Sequence, residues 1–193
     1  MTRQKTQEKE TAILEAAIAV FAERGFWNTP TSLISKTAGI ADGTLFTYFG
    51  TKDELIHAVY LGIKRELAAV LLEGLAEGMS DRDTMAHFWN CYIDWGVAHP
   101  DKYAVVRQIY ESGVLSADVL AQGIEAFGEI EQRTTRAIAQ AGVHQYPSTY
   151  LGALIDSQVN TTIQFIVTNP DSDINYKKIG FDILWDGVTS GAR

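Results

Sequence analysis

From Ile13 onward the apolar residues of this chain recur at helical spacing. No segment shows sustained period-two alternation between hairpin turns. That restricts the chain to helix packed on helix. Ile13, Ala16, Ala17, Val20 and Phe21 form one stripe of the i, i+3, i+4, i+7, i+8 kind, and Gly25 stops it. Thr29-Pro30 reads as a cap followed by a proline in the first helical position. A short helix then ends at "AGI", where Gly39 allows a left-handed turn, and a second short helix runs to about Tyr48.

Thr51 with Glu54 three residues on predicts a capping box and a long helix from Lys52 through "LLEGLAEG". Further helices are expected from Ser80 to about His99, from Pro100 through "YE", from Ser116 to Ala141 with Gly142 as its stop, over Ser148–Thr168, and over Asn175–Thr189. The expectation is an all-α chain of about nine helices. It divides into an N-terminal helix-turn-helix domain, residues 1–52, and a C-terminal helical domain, residues 53–193, for ligand binding and dimerisation.

Charge sets the two parts apart. Residues 1–52 hold six Lys/Arg against five Asp/Glu, a net of +1; the whole chain carries −8, so the remainder carries −9. The first part can approach a polyanion that the second would repel. The longest unbroken apolar runs, Ala16 to Ala22 and Leu67 to Leu72, are far below the roughly 20 residues of a membrane span, and "MTRQKTQEKE" has no signal-peptide character. One cysteine, Cys91, excludes an internal disulfide. A cytoplasmic protein with no membrane partner is expected.

Residues 30–52 carry the chemistry. Leu33, Ile34, Ala38, Leu45 and Phe49 can close a small core, which leaves Asp42, Gly43, Thr44, Thr47 and Tyr48 outward. In a helix-turn-helix the second helix enters the major groove. Threonine hydroxyls and methyls can meet base edges, and Gly43 allows close backbone approach. Lys52 adds a positive charge on the same side. Asp42 is either a cap or first-turn charge on the helix dipole, or an acceptor for cytosine N4.

"ILEAAIAVFAERGF" followed by "TSLISKTAGIADGTLFTYFGTKDEL" resembles the N-terminal domain of the TetR family of transcriptional repressors, over about Ile13 to Leu55. The resemblance implies phosphate contacts at Thr31, Tyr48 and Lys52, and base or groove contacts around Ala41, Asp42, Gly43, Thr44 and Thr47. It implies a homodimer on a palindromic double-stranded operator, released by a small-molecule effector, with no cofactor. The sequence departs from the family pattern at Ala41, where a capping Ser is usual, at Asp42, and at Phe46, where many members carry Tyr. Those departures motivate an alternative, a ligand-binding dimer that has lost specific operator binding.

Residues 80–128 are rich in aromatics. Phe88, Tyr92 and Trp95 share a helical face with Trp89 beside it; Arg107, Tyr110, Glu111 and Phe127 follow. From the residues alone such a stripe is either the lining of a small-ligand pocket or, as is more common, core; the resemblance makes these eight a candidate effector site, in which Arg107 would meet a carboxylate or Glu111 a cation. On the last two helices, Leu151, Leu154, Ile155, Gln158, Val159 and Thr162, with Ile183 and Leu184, are candidate dimer contacts in a four-helix bundle; alternatively both stripes pack within one subunit. The four histidines, His57, His87, His99 and His144, show no metal or catalytic spacing, and no nucleotide loop or nucleophile elbow is present, so an enzyme is not expected.

Overall fold

The computed structural model describes residues 2–76, 78–140 and 147–189. Among the described residues it holds ten helices and no strand: α1 (Thr2–Arg24), α2 (Thr31–Thr37), α3 (Asp42–Tyr48), α4 (Lys52–Leu72), α5 (Asp81–Ala98), α6 (Pro100–Glu111), α7 (Ala117–Glu125), α8 (Gly128–Gln140), α9 (Ser148–Thr168) and α10 (Tyr176–Thr189). None is long and apolar enough to cross a membrane.

Nine expected helices become ten because the stretch from Ser116 breaks at Ala126 and Phe127. Ser116 does cap α7, its Oγ accepting from Val119 N at 3.3 Å. The break lies between Gly123 and Gly128, and each glycine in a helix costs about 1 kcal/mol relative to alanine. Gly142, the expected stop, and His144 lie outside the described residues. Two other boundaries are corrected. α4 ends at Leu72, and Gly74 takes a positive φ of 74°, so residues 74–76 are not helical. Thr29 does not cap α2: the helix starts after Pro30, and Thr29 is buried with its hydroxyl donating back to Gly25 O at 2.8 Å.

The chain packs as two compact units, Met1–Arg65 with His99–Glu125, and Glu66–Ala98 with Ala126–Arg193. In the first, α1 lies against α2 and α6. Ile13, Phe21, Ile34, Leu45, Leu55, Ile56, Val105 and Ile109 are fully buried there. Each such side chain contributes roughly 1.5–3 kcal/mol of hydrophobic stabilisation. In the second, α5 packs against α8, α9 and α10, around Ile93 and Ile163. Gly180 of α10 meets α5 and α9 where no side chain would fit: a Cβ there would stand 2.7 Å from Thr162 Oγ1 and 2.7 Å from Trp89 Cζ2.

Candidate nucleic-acid interface

The turn between α2 and α3 is set by backbone geometry. Gly39 has φ 69°, which a residue with a Cβ adopts only with strain. Its N–H donates to Lys36 O at 3.2 Å and that of Ile40 to Ser35 O at 3.0 Å, the paired bonds of a Schellman ending. Ala41 is extended (φ −72°, ψ 148°), and Thr44 N donates to Ala41 O at 2.9 Å to start α3. Ile34 and Leu45 are fully buried and Phe49 nearly so, which fixes the two helices as one body.

That packing decides what α3 presents. Asp42, Gly43, Phe46 and Thr47 are exposed; Thr44 and Tyr48 are half-buried. Thr31 is half-buried at the start of α2 and Ala41 is exposed. Ala41 occupies the cap position without a side-chain hydrogen bond, and Asp42 sits inside the first turn, so its carboxylate acts on the helix end as a first-turn charge. Thr47 Oγ1 donates to Gly43 O at 2.9 Å, so the exposed hydroxyl spends its proton on the helix and keeps its acceptor capacity. Phe46, 47% exposed, belongs to the outer ridge, one turn beyond Asp42 and Gly43. In the sequence it stands out only for the hydroxyl that it lacks.

α4 starts as predicted, with a variation. Glu54 N donates to Thr51 Oγ1 at 3.1 Å, while the Glu54 carboxylate accepts from Gly50 N at 2.9 Å, one residue before the usual partner. Lys52, half-buried, donates from Nζ to the backbone carbonyl of Trp27 at 3.1 Å. Burial holds its pKa below the usual lysine value, opposed by the Asp53 carboxylate. Two N–H donors of the ammonium remain for an anion. Trp27 stands 63% exposed in the loop from α1 to α2; its place depends on a lysine 25 residues away, so no local pattern marks it.

The candidate effector residues fall into both units. On α5, Phe88, Trp89 and Trp95 are buried and Tyr92 is half-buried. Both indoles are committed within their unit: Trp89 Nε1 donates to Lys177 O at 2.8 Å and Trp95 Nε1 to Glu66 Oε1 at 3.0 Å. Tyr92 donates to Asp156 at 3.4 Å, and Phe127 is half-buried at the α7–α8 break. On α6, in the first unit, Arg107 pairs with Glu111 at 2.6 Å and lies over the Tyr103 ring, while Tyr110 is exposed.

The dimer candidates also divide. Val159, Thr162 and Leu184 are buried inside the second unit, and Gln158 Nε2 donates to Gly180 O at 2.8 Å. Leu154 and Ile183 are exposed, at 45% and 62%; Leu151 and Ile155 are half-buried. Ile179, on the same apolar stripe of α10 as Ile183, is exposed too, and so is Phe165, which the sequence does not single out.

Residues 13–59 match the profile of bacterial regulatory proteins of the tetR family. The fatty acid metabolism regulator protein of Bacillus subtilis is 32% identical over 76 residues, 39% of this chain and 37% of that protein. The transcriptional repressor KstR2 of Rhodococcus jostii is 31% identical over 77 residues, 40% and 38% respectively. The chain thus spans well under two thirds of the length of these curated relatives. Similarity to solved structures runs over nearly the whole chain. A chain from Shewanella sp. PV-4 assigned to the tetR family has TM-score 0.84 at 25% identity, covering 93% of this chain and 97% of that one. The regulator FadR from Bacillus subtilis, solved with stearoyl-CoA, has TM-score 0.70 at 20% identity, covering 95% and 99%.

Proposed function

Because the chain belongs to the TetR family of transcriptional regulators, we propose that it is a repressor that binds a palindromic operator as a homodimer and leaves it when a small molecule binds the C-terminal domain. The carrying observation is the ridge of α3: short and apolar side chains on a rigid two-helix body, with the Lys52 ammonium fixed at the next helix start. Asp42, Gly43, Phe46 and Thr47 face the bases, and Thr31, Tyr48 and Lys52 hold phosphates. Affinity rests on close fit and on duplication by symmetry, since this surface carries little charge. In this reading residues 1–52 are the DNA-binding part and 53–193 the effector and dimer part.

Leu154, Phe165, Ile179 and Ile183 supply the apolar face that a second copy would cover. An effector held among the α5 aromatics would release DNA only by favouring one spacing of the two reading heads over another. Relatives here include a fatty-acid metabolism regulator and a structure holding stearoyl-CoA, which favours an effector with a long apolar part.

The exposed Asp42 favours a second reading, a ligand-binding dimer without operator specificity. Selection from a random-sequence duplex pool separates the two. A repressor enriches a two-fold symmetric sequence whose binding falls steeply with salt. A dimer that enriches nothing above random duplex is the second reading.

A further inference from the structure

Trp27 is the exposed indole of the four in this chain: Trp89 and Trp95 are buried and Trp185 is half-buried. An indole 63% exposed leaves much apolar surface in water, yet this one is not loosely held. Its ring packs on that of buried Phe26, centroids 4.9 Å apart and planes tilted by 35°. Its carbonyl is tied to Lys52 Nζ at 3.1 Å. Its own N–H meets no acceptor among the described residues. A rigid aromatic with a spare donor is pre-organised for a partner, because little freedom is left to lose on binding.

Its neighbourhood says which partner. The loop "GFWNTP" holds no charged residue, and the ammonium bonded to it belongs to the first residue of α4, directly after the reading helix. Residues 1–52 are the net positive part of a strongly acidic chain. The position is therefore continuous with the proposed DNA face and at its border, beyond the ridge that faces the bases.

We infer that Trp27 is a DNA-backbone contact: its ring lies along the sugar–phosphate chain at the flank of each half-site, and Nε1–H donates to a phosphate oxygen. Lys52 is its positioning residue as well as a phosphate contact in its own right. The contact is sequence-independent and neutral, so it adds affinity without adding to counterion release. The inference rests on the DNA-binding reading above.

The test uses the full chain, a duplex enriched by the wild type from a random pool, and an unrelated mixed-sequence duplex. Trp27→Ala should weaken binding roughly tenfold or more on both duplexes alike, as loss of a hydrogen bond to a charged group does in each half of a dimer. The slope of log affinity against log salt should not change, whereas disturbance of Lys52 would flatten it. Trp27→Phe keeps the packing on Phe26 and removes only the N–H, so it should fall between wild type and Trp27→Ala. In the wild type, acrylamide should quench Trp27 emission in the free protein and much less with either duplex bound. Trp27→Phe should lack that DNA-protected component. Wild-type binding that both variants reproduce, or Trp27 emission equally quenched with and without DNA, overturns the contact and leaves the repressor reading standing. A wild type that binds neither duplex overturns both.

Discussion

Trp89 occupies the space that a side chain at position 180 would need. The distance from its Cζ2 to a Cβ built on Gly180 is 2.7 Å, with Thr162 Oγ1 equally close. Three helices meet at that point, and the Gly180 carbonyl accepts from Gln158 Nε2 while the Trp89 indole donates to Lys177 O one turn away. Gly180→Ala should therefore cost about 1–3 kcal/mol through overpacking. Gly187, on the same helix, has open space around it, so Gly187→Ala should be neutral or stabilise by up to about 1 kcal/mol through helix propensity. Thermal melting of the two variants checks the pair; equal shifts would deny Gly180 its packing role.

The capping box at Thr51 and Glu54 holds the first turn of α4, and with it the placement of Lys52. Thr51→Ala should lower stability by about 1 kcal/mol. In urea unfolding the midpoint should drop with no change in slope.

Removing the Lys52 ammonium should weaken binding to every duplex by one factor. Lys52→Ala should also flatten the salt dependence by about one unit for each phosphate that the ammonium neutralises. Affinity measured over a series of salt concentrations decides it, and an unchanged slope removes Lys52 from the phosphate set.

Ile183 is the most exposed member of the apolar face on α9 and α10. Ile183→Glu places a charge there, and in a dimer it would sit desolvated at the two-fold interface. Sedimentation should show a wild-type dimer shifted toward monomer by the substitution, with DNA affinity falling in step. A wild type that sediments as a monomer refutes the interface.

Burial pushes the half-buried Cys91 thiol to a pKa above its ordinary value, with Asp94 adding to the rise and Lys177 opposing it. The folded state therefore keeps its proton where the unfolded chain has released it. Stability from this group is intact below the ordinary thiol pKa and is lost as pH rises through the higher folded value. The pH profile of iodoacetamide alkylation should have its midpoint on the alkaline side of that of the urea-unfolded chain. Coincident midpoints would contradict it.

Much of the proposed DNA-binding part is legible in the sequence because its signals are local. Gly39 with the residues around it encodes the turn, and Thr51 with Glu54 encodes the next helix start. What was not legible depends on distant partners. Thr29 looked like a cap because Ser, Thr, Asn and Asp before an apolar run usually are caps; its hydroxyl instead closes the preceding loop onto Gly25. The α7–α8 break stayed hidden because apolar residues on both sides keep helical spacing through it. On α9, Leu154 and Val159 read as one stripe, yet one faces solvent and the other the interior. Periodicity marks an apolar face without saying which neighbour covers it.

The path of the chain between the two packing units has a consequence for inheritance. α6 and α7 belong with α1 to α3, although α5 intervenes in sequence, and α1 packs on α6. The unit that carries the proposed reading helix is thus assembled from two separate stretches of chain. A crossover at residue 52 or 65 would carry off α1 without the helix that covers its apolar face. On the proposed operator-binding reading, new operator preferences should therefore arise by point change on the α3 ridge sooner than by exchange of whole heads, and a grafted head should fold only if residues 99–125 travel with it.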